Sequence, residues 1–438
     1  MKRSRTIACM LLAVMLLPGC AEQQIPDNDA DSENVPTVSE EIVMRNDGPV
    51  EVGIYEQYDL DTYMRPVWEG RVVHNETVMF IGENDSVSLL YPADEILSVR
   101  SYDLMTEYEQ GVDYAYCNGK IALLEGSRIP AIAISAYYAD VDGEWYLQTK
   151  HNGMPTDTYW GEGTTMTQWQ VAVTYTHSQY WSDDIPASYA DRYEKLRTKL
   201  ENGENVTFVF YGDSITYGAN SSAMIGVEPF APTWPVMFTQ YVAQKYSYRV
   251  EYIALPIENT PVPPKEPSVY GDKGVITYIN ASVGGWGTET GSGNMEMYIN
   301  QFVRQYGCDL FVVAYGMNNS DASAEGIAML HQMMIEKVHN VDRDTCAVMV
   351  STMVPNPEAL GHWYGNQDTF EAEMIKSADE CWQDGIPCAV APVTSMSLSV
   401  LESKRFCDYT GNNINHPNDF MARIYAQTLF QTVFGYSE

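Results

Sequence analysis

The fold is decided by the stretch Val206-Thr207-Phe208-Val209-Phe210-Tyr211, which is followed directly by Gly212-Asp213-Ser214-Ile215-Thr216-Tyr217. The first six residues form an apolar run that is typical of a buried strand in a parallel sheet. A serine on the turn that leaves such a strand lies at the carboxyl end of the sheet, where open α/β folds place their sites. Gly212 permits a tight turn, and Asp213 favours turns and caps. The stretch predicts an α/β fold and offers Ser214 as a nucleophile, although a turn without chemistry is the alternative.

Three further blocks follow this stretch in order. The segments Asn280–Gly287 and Gly316–Asn319 each follow an apolar strand, and Asn413–Asp419 stands near the C-terminus. The ordered set resembles the SGNH (GDSL-type) hydrolase family, whose blocks centre on Ser, Gly, Asn and His. The resemblance covers residues 200–436, and it implies a flavodoxin-like three-layer α/β/α domain with a parallel sheet.

The same resemblance implies the chemistry of a serine esterase. A serine hydroxyl needs a neighbouring base to become a good nucleophile, and His416 is the candidate base for Ser214. Attack on an ester carbonyl develops negative charge on its oxygen, which requires preorganised donors. By resemblance, these donors are the backbone N–H groups of Ser214 and Gly285 and the side-chain amide of Asn318.

The third member of the expected triad departs from the family pattern. The family usually has an aspartate three residues before the catalytic histidine, and here that position is Asn413. An asparagine can orient an imidazole by hydrogen bonding, but it brings no charge to stabilise the imidazolium. A site supported by Asn413, or a Ser–His dyad oriented by a backbone carbonyl, is the first expectation. A carboxylate from another direction is the second, with Asp408 preferred over Asp419.

Three residues are candidates for contacting the substrate. Trp286 follows the proposed oxyanion glycine and could stack on a sugar ring, with packing on the sheet as the alternative. His362 and Trp363 belong to a loop that follows a predicted strand on the site side of the sheet. The proline-rich segment Ile257–Gly274 is expected to form a rim of the cleft. The remaining histidines have no ligand spacing, and Gly284–Gly287 lacks a nucleotide-binding pattern, so neither a metal nor a cofactor is expected.

The N-terminus predicts export. A basic start, Met1–Arg5, precedes the apolar stretch Ile7–Leu17, which is too short for a comfortable membrane span. Leu17-Pro18-Gly19-Cys20 resembles a bacterial lipobox. This implies a signal peptide over residues 1–19, a lipidated Cys20 and a membrane-anchored lipoprotein facing the cell surface or the periplasm. Ordinary secretion is the alternative, and residues 20–40 are expected to form an acidic tether.

Composition narrows the possible partners. The chain has 25 Lys and Arg against 59 Asp and Glu, a formal net charge of −34, and removing Lys2, Arg3 and Arg5 with the signal leaves −37. Such a large negative charge argues against binding to nucleic acid and against electrostatic binding to anionic lipids. The lipid anchor is therefore the one expected membrane contact. The six cysteines after Cys20 could form disulfides outside the cytoplasm, or could be small core residues.

The pattern of apolar runs and turns along the chain predicts two domains. Residues 41–180 show short alternating apolar runs separated by Gly, Asn and Asp turns, which predicts a jelly-roll-like β-sandwich. Residues 186–438 alternate strands with helices and form the expected hydrolase domain. The predicted helices are 188–202, 232–246, 293–306, 322–340, 367–384 and 418–434. The predicted strands are 206–211, 248–254, 275–280, 309–315, 346–353 and 387–391.

A β-sandwich before an SGNH domain resembles the two-domain carbohydrate esterases that remove acetyl groups from plant polysaccharides. We therefore expect an extracellular esterase that acts on an acetylated poly- or oligosaccharide through an acyl-enzyme on Ser214. Three alternatives stay open. They are an inactive glycan-binding lipoprotein with this fold, a polysaccharide O-acyltransferase, and a lipid-directed esterase or thioesterase.

Overall fold

The computed structural model describes residues 58–139, 146–360 and 363–436. Signal peptide, lipidation and tether predictions, including Cys20, lie outside these residues, as does His362. The described part combines sheets that are antiparallel except for the parallel pair β1 and β7, formed before residue 177, with a mixed α/β arrangement after it. None of its helices is long and apolar enough to cross a bilayer.

The strands are β1 Val72–Ile81, β2 Ser86–Ser88, β3 Glu95–Ser101, β4 Glu107–Tyr108, β5 Tyr114–Cys117, β6 Lys120–Leu123, β7 Ala131–Ile132, β8 Tyr138–Ala139, β9 Tyr146–His151, β10 Met154–Tyr159, β11 Gln170–Thr176, β12 Val206–Gly212, β13 Arg249–Ile253, β14 Ser268–Val269, β15 Val275–Asn280, β16 Leu310–Ala314, β17 Cys346–Val350 and β18 Cys388–Ala391.

The α-helices are α1 Leu60–Tyr63, α2 Ile134–Tyr137, α3 Thr164–Thr167, α4 Glu194–Asn202, α5 Ser214–Tyr217, α6 Ser222–Ile225, α7 Trp234–Tyr246, α8 Thr288–Tyr298, α9 Arg304–Tyr306, α10 Ala324–Val341, α11 Phe370–Gln383, α12 Val393–Ser403, α13 Phe406–Tyr409 and α14 Asp419–Val433. A π-helical turn, Ile299–Val303, joins α8 to α9, and a 3₁₀ turn, Gln367–Thr369, precedes α11.

The α/β part is built on a seven-stranded sheet in the order β14-β13-β15-β12-β16-β17-β18. All neighbouring pairs are parallel except β13 with the short edge strand β14. This confirms the predicted α/β fold with a parallel sheet. The strand order departs from the flavodoxin-like prediction, which has the first strand between the second and third. Here β15 lies between β13 and β12, and the chain passes from β13 to β15 through the long segment 254–274, which includes β14.

Alternate residues of each strand point to opposite faces of the sheet, and helices cover both faces. Phe208 and Phe210 of β12 belong to one core cluster, together with residues of α7 and α14. Val209 and Tyr211 belong to a second cluster, together with residues of α8, α10 and α11. The continuous apolar run that begins at Val206 is therefore buried on both faces, as a central parallel strand requires.

The region before residue 177 contains a five-stranded sheet, β4-β3-β11-β1-β7, and two three-stranded sheets, β8-β10-β9 and β2-β6-β5. Val78 of β1 and Val173 of β11 lie in the same core cluster as Met421 and Tyr425 of α14. The strand region and the helices of the α/β part therefore share one apolar core. The jelly-roll sandwich and the domain boundaries stay predictions.

The cysteines of the described residues are all free thiols, so the disulfide option is not realised there. They are Cys117, Cys308, Cys346, Cys381, Cys388 and Cys407. All except Cys117 are buried, and burial raises the pKa of Cys346 and Cys407 to about 12. These thiols act as small apolar residues of the core.

Candidate active site

Ser214 lies at the first turn after the central strand β12. It is the first residue of α5, and its neighbour Asp213 caps that helix by accepting a hydrogen bond from the Ile215 N–H at 3.0 Å. Gly212 makes the turn possible, because a Cβ at this position would come within 2.3 Å of the Ala314 carbonyl oxygen. The strand and the turn hold Ser214 partly exposed at the carboxyl edge of the sheet.

The histidine predicted as the base is in contact with this serine. The Nε2 atom of His416 lies 2.8 Å from the Oγ atom of Ser214. The side chain of Asn412 holds the loop that carries His416. Its Oδ1 atom accepts hydrogen bonds from the N–H groups of Ile414, Asn415 and His416 at 2.9–3.0 Å. The ring is thus fixed next to the serine before any substrate binds.

The other ring nitrogen of His416 faces two oxygen atoms. Nδ1 lies 3.1 Å from Glu162 Oε2 and 3.2 Å from Asn220 Oδ1. The Asn220 amide nitrogen donates to the Gly411 carbonyl at 2.9 Å, so its oxygen must be the atom that faces the ring. Both neighbours of Nδ1 are acceptors, which means that Nδ1 carries the proton in the neutral ring. Nε2 is then free to accept the proton of Ser214.

Glu162 comes from the segment between β10 and α3, in the strand-rich part of the chain. Its Oε1 atom accepts a hydrogen bond from Asn412 Nδ2 at 3.0 Å, while its side chain is 51% exposed. Burial by itself would raise the pKa of this carboxyl. The hydrogen bond and charge of His416, together with the Asn412 amide, outweigh burial and lower the pKa of Glu162 below its ordinary value of 4.5. Glu162 is therefore a carboxylate at neutral pH.

The carboxylates and the amide that were predicted to orient His416 lie elsewhere. Asn413 Nδ2 donates to the Tyr137 hydroxyl at 2.9 Å and to the Tyr159 carbonyl at 2.8 Å. Asp408 accepts from the N–H groups of Met79 and Arg405, because it caps α13 and binds β1. Asp419 accepts from the Ser222 N–H at 2.8 Å. The hydrogen bonds of all three side chains are used in packing the fold.

The predicted oxyanion residues lie on loops that leave adjacent strands. In the sheet Gly212 pairs with Ala314, and Phe210 pairs with Asn280, so the loops after β12, β15 and β16 start side by side. A Cβ on Gly284 would lie 3.9 Å from the Ser214 Cβ. Gly285 has a φ of +78°, a left-handed conformation that favours glycine. A Cβ at this position would meet no atom within 4 Å, so the space beside Gly285 is open.

Asn318 is exposed, and its Nδ2 atom donates to the Trp286 carbonyl at 3.0 Å. This contact ties the loop after β16 to the loop after β15. The neighbouring Asn319 strengthens the tie, because its Oδ1 accepts from the N–H and the hydroxyl of Thr288 at 2.9 and 3.0 Å. The two asparagines therefore tie the loop after β16 to the proposed oxyanion loop and to the start of α8.

The described substrate candidates are half-buried aromatic residues. Trp286 packs edge-to-face on Tyr298 with ring centroids 5.9 Å apart. Trp363 packs against Ala359 and Ile414, and Trp160 from the strand-rich region packs against the same two residues. Ile414 is only two residues from His416, so the two tryptophans lie beside the loop that carries the base.

The proline-rich segment lines a cavity next to α5. This cavity has a volume of 340 Å³ and is bordered by Pro261, Pro263 and Pro264 on one side and by Tyr217 and Val236 on the other. Its wall is mostly apolar. Tyr217 belongs to the same short helix as Ser214.

The histidine His331 on α10 is a structural residue. His331 is fully buried, donates from Nδ1 to the Ile327 carbonyl at 2.9 Å, and accepts the Tyr315 N–H on Nε2 at 3.3 Å. Burial lowers its pKa to about 4, so the ring is neutral. Across residues 58–139, 146–360 and 363–436, no group of three His, Cys, Asp or Glu side chains is arranged to hold a metal ion.

Sequence reasoning missed three residues of this site, Glu162, Asn220 and Asn412. Glu162 and His416 are 254 positions apart, and no local pattern links them. The one available signal was the turn sequence Trp160-Gly161-Glu162-Gly163, in which two glycines flank an acidic residue. Asn220 has a positive φ of 65°, but its sequence context is an ordinary turn.

No protein-family model matches the chain, and no curated protein matches its sequence. Solved structures that resemble it include a two-domain esterase active on acetylated mannans, crystallised with mannopentaose, at 15% identity and a TM-score of 0.38. That match covers 56% of this chain and 53% of the other, so this chain spans only about half the length of that esterase.

Two further solved structures match this chain over nearly their full length. A carbohydrate esterase family 3 from Talaromyces cellulolyticus has 12% identity, a TM-score of 0.35, and coverage of 51% of this chain and 94% of that one. The acetyl xylan esterase AlAXEase has 16% identity, a TM-score of 0.35, and coverage of 52% and 98%. Similarity this low assigns neither an activity nor a substrate to the chain.

Proposed function

We propose that the protein is a serine esterase that removes short acyl groups, acetyl above all, from an extracellular carbohydrate. The observation that carries the proposal is the continuous chain of contacts from Ser214 to His416 and from His416 to an ionised carboxylate. A nucleophile, a base and an orienting acceptor in contact are the requirements for covalent acyl transfer.

The reaction would follow from these contacts. Ser214 attacks the ester carbonyl as its proton passes to His416 Nε2, and the carbonyl oxygen becomes an oxyanion. The N–H groups of Ser214 and Gly285 and the amide of Asn318 are the proposed donors to that oxyanion. The intermediate expels the sugar alkoxide, which takes the proton from His416, and leaves an acetyl group on Ser214. Water then attacks this acyl-enzyme and gives a proton to His416, the bond between the acyl carbon and Ser214 Oγ breaks, His416 returns the proton to Oγ, and acetic acid is released.

The carbohydrate part of the proposal is supported by aromatic residues near the base. Trp160 and Trp363 are half-buried and pack on the loop of His416, so part of each side chain is accessible near that loop. Aromatic faces bind the apolar faces of sugar rings. The strongly negative chain favours neutral substrates over anionic ones. The proposed location, a lipid-anchored protein on an exported surface, is supported by the sequence Leu17–Cys20.

The experiment compares acetate release from acetylated mannan, acetylated xylan and aryl acetates by the wild type, by Ser214→Ala and by Ser178→Ala. Ser178 is an exposed serine bound to Asp94, and it serves as the matched control. We expect Ser214→Ala to lose essentially all release and Ser178→Ala to keep it. Equal background release from all three proteins would reject the esterase. Glycan binding without turnover, or acetyl transfer to an added sugar, would replace it with one of the two glycan-directed alternatives.

A second candidate, an esterase for longer acyl chains, is favoured by the apolar 340 Å³ cavity beside α5. A cavity of that size could hold several methylene groups, each contributing about 0.8 kcal/mol when buried. A series of aryl esters from acetate to octanoate separates the candidates. A kcat/KM that is highest for acetate supports the carbohydrate deacetylase, and one that rises with chain length supports the lipid-directed enzyme.

A further inference from the structure

Within the described ranges, the only charged group in hydrogen-bond contact with the base belongs to the strand-rich region and not to the α/β part. Among the described residues, His416 Nδ1 is hydrogen-bonded to Glu162 at 3.1 Å and to Asn220 at 3.2 Å. Asn220 follows α5 in the α/β part and is neutral, whereas Glu162 is ionised. The two contacts have similar geometry, so they differ mainly in charge.

The segment that carries Glu162 has a defined local structure. The Glu162 carbonyl accepts the hydroxyl of Thr165 at 2.8 Å, which closes a turn at the start of α3. Gly163 within this turn has a φ of +67°, and a Cβ on Gly161 would come within 2.6 Å of the Thr165 side chain. Both glycines are therefore required for the turn that directs Glu162 toward the histidine.

Two asparagines of the His416 loop, Asn412 and Asn413, bind this same segment. Asn412 donates to the Glu162 carboxylate at 3.0 Å, and its own carbonyl accepts the Gly161 N–H at 3.2 Å. Asn413 donates to the Tyr159 carbonyl at 2.8 Å. A carbonyl can only accept, so the atom of residue 413 that faces Tyr159 must be the amide nitrogen. An aspartate at this position would have no such donor.

We infer that Glu162 is the positioning carboxylate of His416, and that Asn413 holds the segment which delivers it. The strand-rich region therefore completes the catalytic centre, and the position three residues before the histidine serves as a clamp for that region. This inference rests on the proposed esterase function, which gives the oriented histidine its purpose.

The exposure of Glu162 sets the size of the effect. Loss of a buried triad carboxylate lowers kcat by about 10,000-fold in a serine protease. Glu162 is half exposed, so water weakens its field, and Asn220 remains as a second acceptor. We therefore expect Glu162→Gln to lower kcat by about 10- to 100-fold, with KM nearly unchanged because the carboxylate acts through the ring.

The first test measures kcat, KM and the pH–rate profile for Glu162→Gln, Glu162→Asp and Asn220→Ala, with Glu125→Gln as an exposed control from the same region. Glu162 and the buried Asp213 are two titratable groups whose charges interact with His416. Removing the charge of Glu162 favours the neutral ring, so the acid limb of kcat/KM should move to lower pH. Glu162→Asp should recover part of kcat, and the control should match the wild type.

The second test is independent of turnover. In histidine-labelled protein, the Nδ1–H proton of His416 should give a low-field resonance that is present in the wild type and shifted upfield in Glu162→Gln. If the resonance depends on Glu162 while no ester is cleaved, the inference stands and the proposed function fails. If esters are cleaved and Glu162→Gln keeps the kcat, the pH profile and the resonance of the wild type, the inference is overturned.

Discussion

At the scale of the residue, Asn413 lies three positions before His416 but makes its side-chain hydrogen bonds to the strand-rich region. In the SGNH pattern that the sequence resembles, an aspartate at this position orients the imidazole. Here Asn413 binds the backbone of Tyr159 and the hydroxyl of Tyr137. The orienting contact passes to Glu162, on a segment far away in sequence. Restoring an aspartate at 413 would therefore not restore the familiar triad.

We predict that Asn413→Asp lowers both activity and stability. The new carboxylate would be buried against the Tyr159 carbonyl without the amide donors, which costs about 1–3 kcal/mol in the free energy of unfolding. It would also release the segment of Glu162 and lower kcat. Urea denaturation and steady-state kinetics check this, with Asn84→Asp in an exposed turn as the control. A more active Asn413→Asp enzyme would contradict the clamp.

The sequence could predict the contact between Ser214 and His416 because each belongs to a compact local motif. Ser214 follows an apolar strand, and His416 stands in a short recognisable block, so the contact between them was predicted. Glu162 could not be predicted, because its role depends on a turn docking against a loop 254 positions later. Only the three-dimensional packing of the strand-rich region against α13 and α14 brings the two together.

At the scale of the element, the helices and strands of the α/β part were largely predictable, since periodicity and caps are local. The predicted helix 418–434 is observed as α14, which Asn418 caps through its side chain. The predicted helix 188–202 begins only at Glu194, because turns occupy residues 189–193. Helix α12 was not predicted. Its N-terminal half, Val393–Leu398, has a serine or threonine at three of six positions, which weakens the helical signal.

The N-terminus of α14 gives a pH-dependent prediction. Burial raises the pKa of Asp419 from 3.8 to about 6, although hydrogen bonds from Ser222 oppose the rise. The folded state then binds this proton more tightly than the unfolded state, so the group reduces stability as pH rises from 4 to 6 and has a constant effect above 6. Asn keeps the acceptor oxygen for the Ser222 N–H and does not ionise.

We therefore expect Asp419→Asn to gain stability relative to the wild type by about 3 kcal/mol between pH 4 and pH 8. The measurement is the free energy of unfolding in urea at several pH values, with the surface variant Asp384→Asn as control. A difference between Asp419→Asn and wild type that is independent of pH would show that Asp419 is not buried as a high-pKa carboxyl.

At the scale of the whole molecule, the strand-rich region and the α/β part are joined by a buried ion pair as well as by a shared core. Lys404, at the end of α12, lies 2.5 Å from Glu76 of β1, and both side chains are fully buried. Glu76 also accepts the Tyr175 hydroxyl at 2.6 Å and the Leu90 N–H at 2.8 Å. No local sequence pattern predicts this pair, because its members are 328 positions apart.

We predict that Lys404→Met destabilises the protein by about 3–5 kcal/mol, because it leaves the Glu76 carboxylate buried without its counter-charge. Activity and tryptophan fluorescence should be lost in one common transition, since the base is oriented by the region that Glu76 anchors. Adding Glu76→Gln should recover much of the loss. The exposed pair of Lys376 with Glu373 provides the control, and Lys376→Met should change stability by less than about 1 kcal/mol.

Activation of Ser214 through His416, by a carboxylate from the strand-rich region, should control how fast Ser214 reacts with an electrophile. The rate at which a fluorophosphonate labels Ser214, followed by mass spectrometry of the peptide that contains it, measures this reactivity. We expect labelling of the wild type at Ser214, none of Ser214→Ala at that position, and labelling of Glu162→Gln that is slower by about 10- to 100-fold. An unlabelled wild type, or equal rates for wild type and Glu162→Gln, would contradict the account.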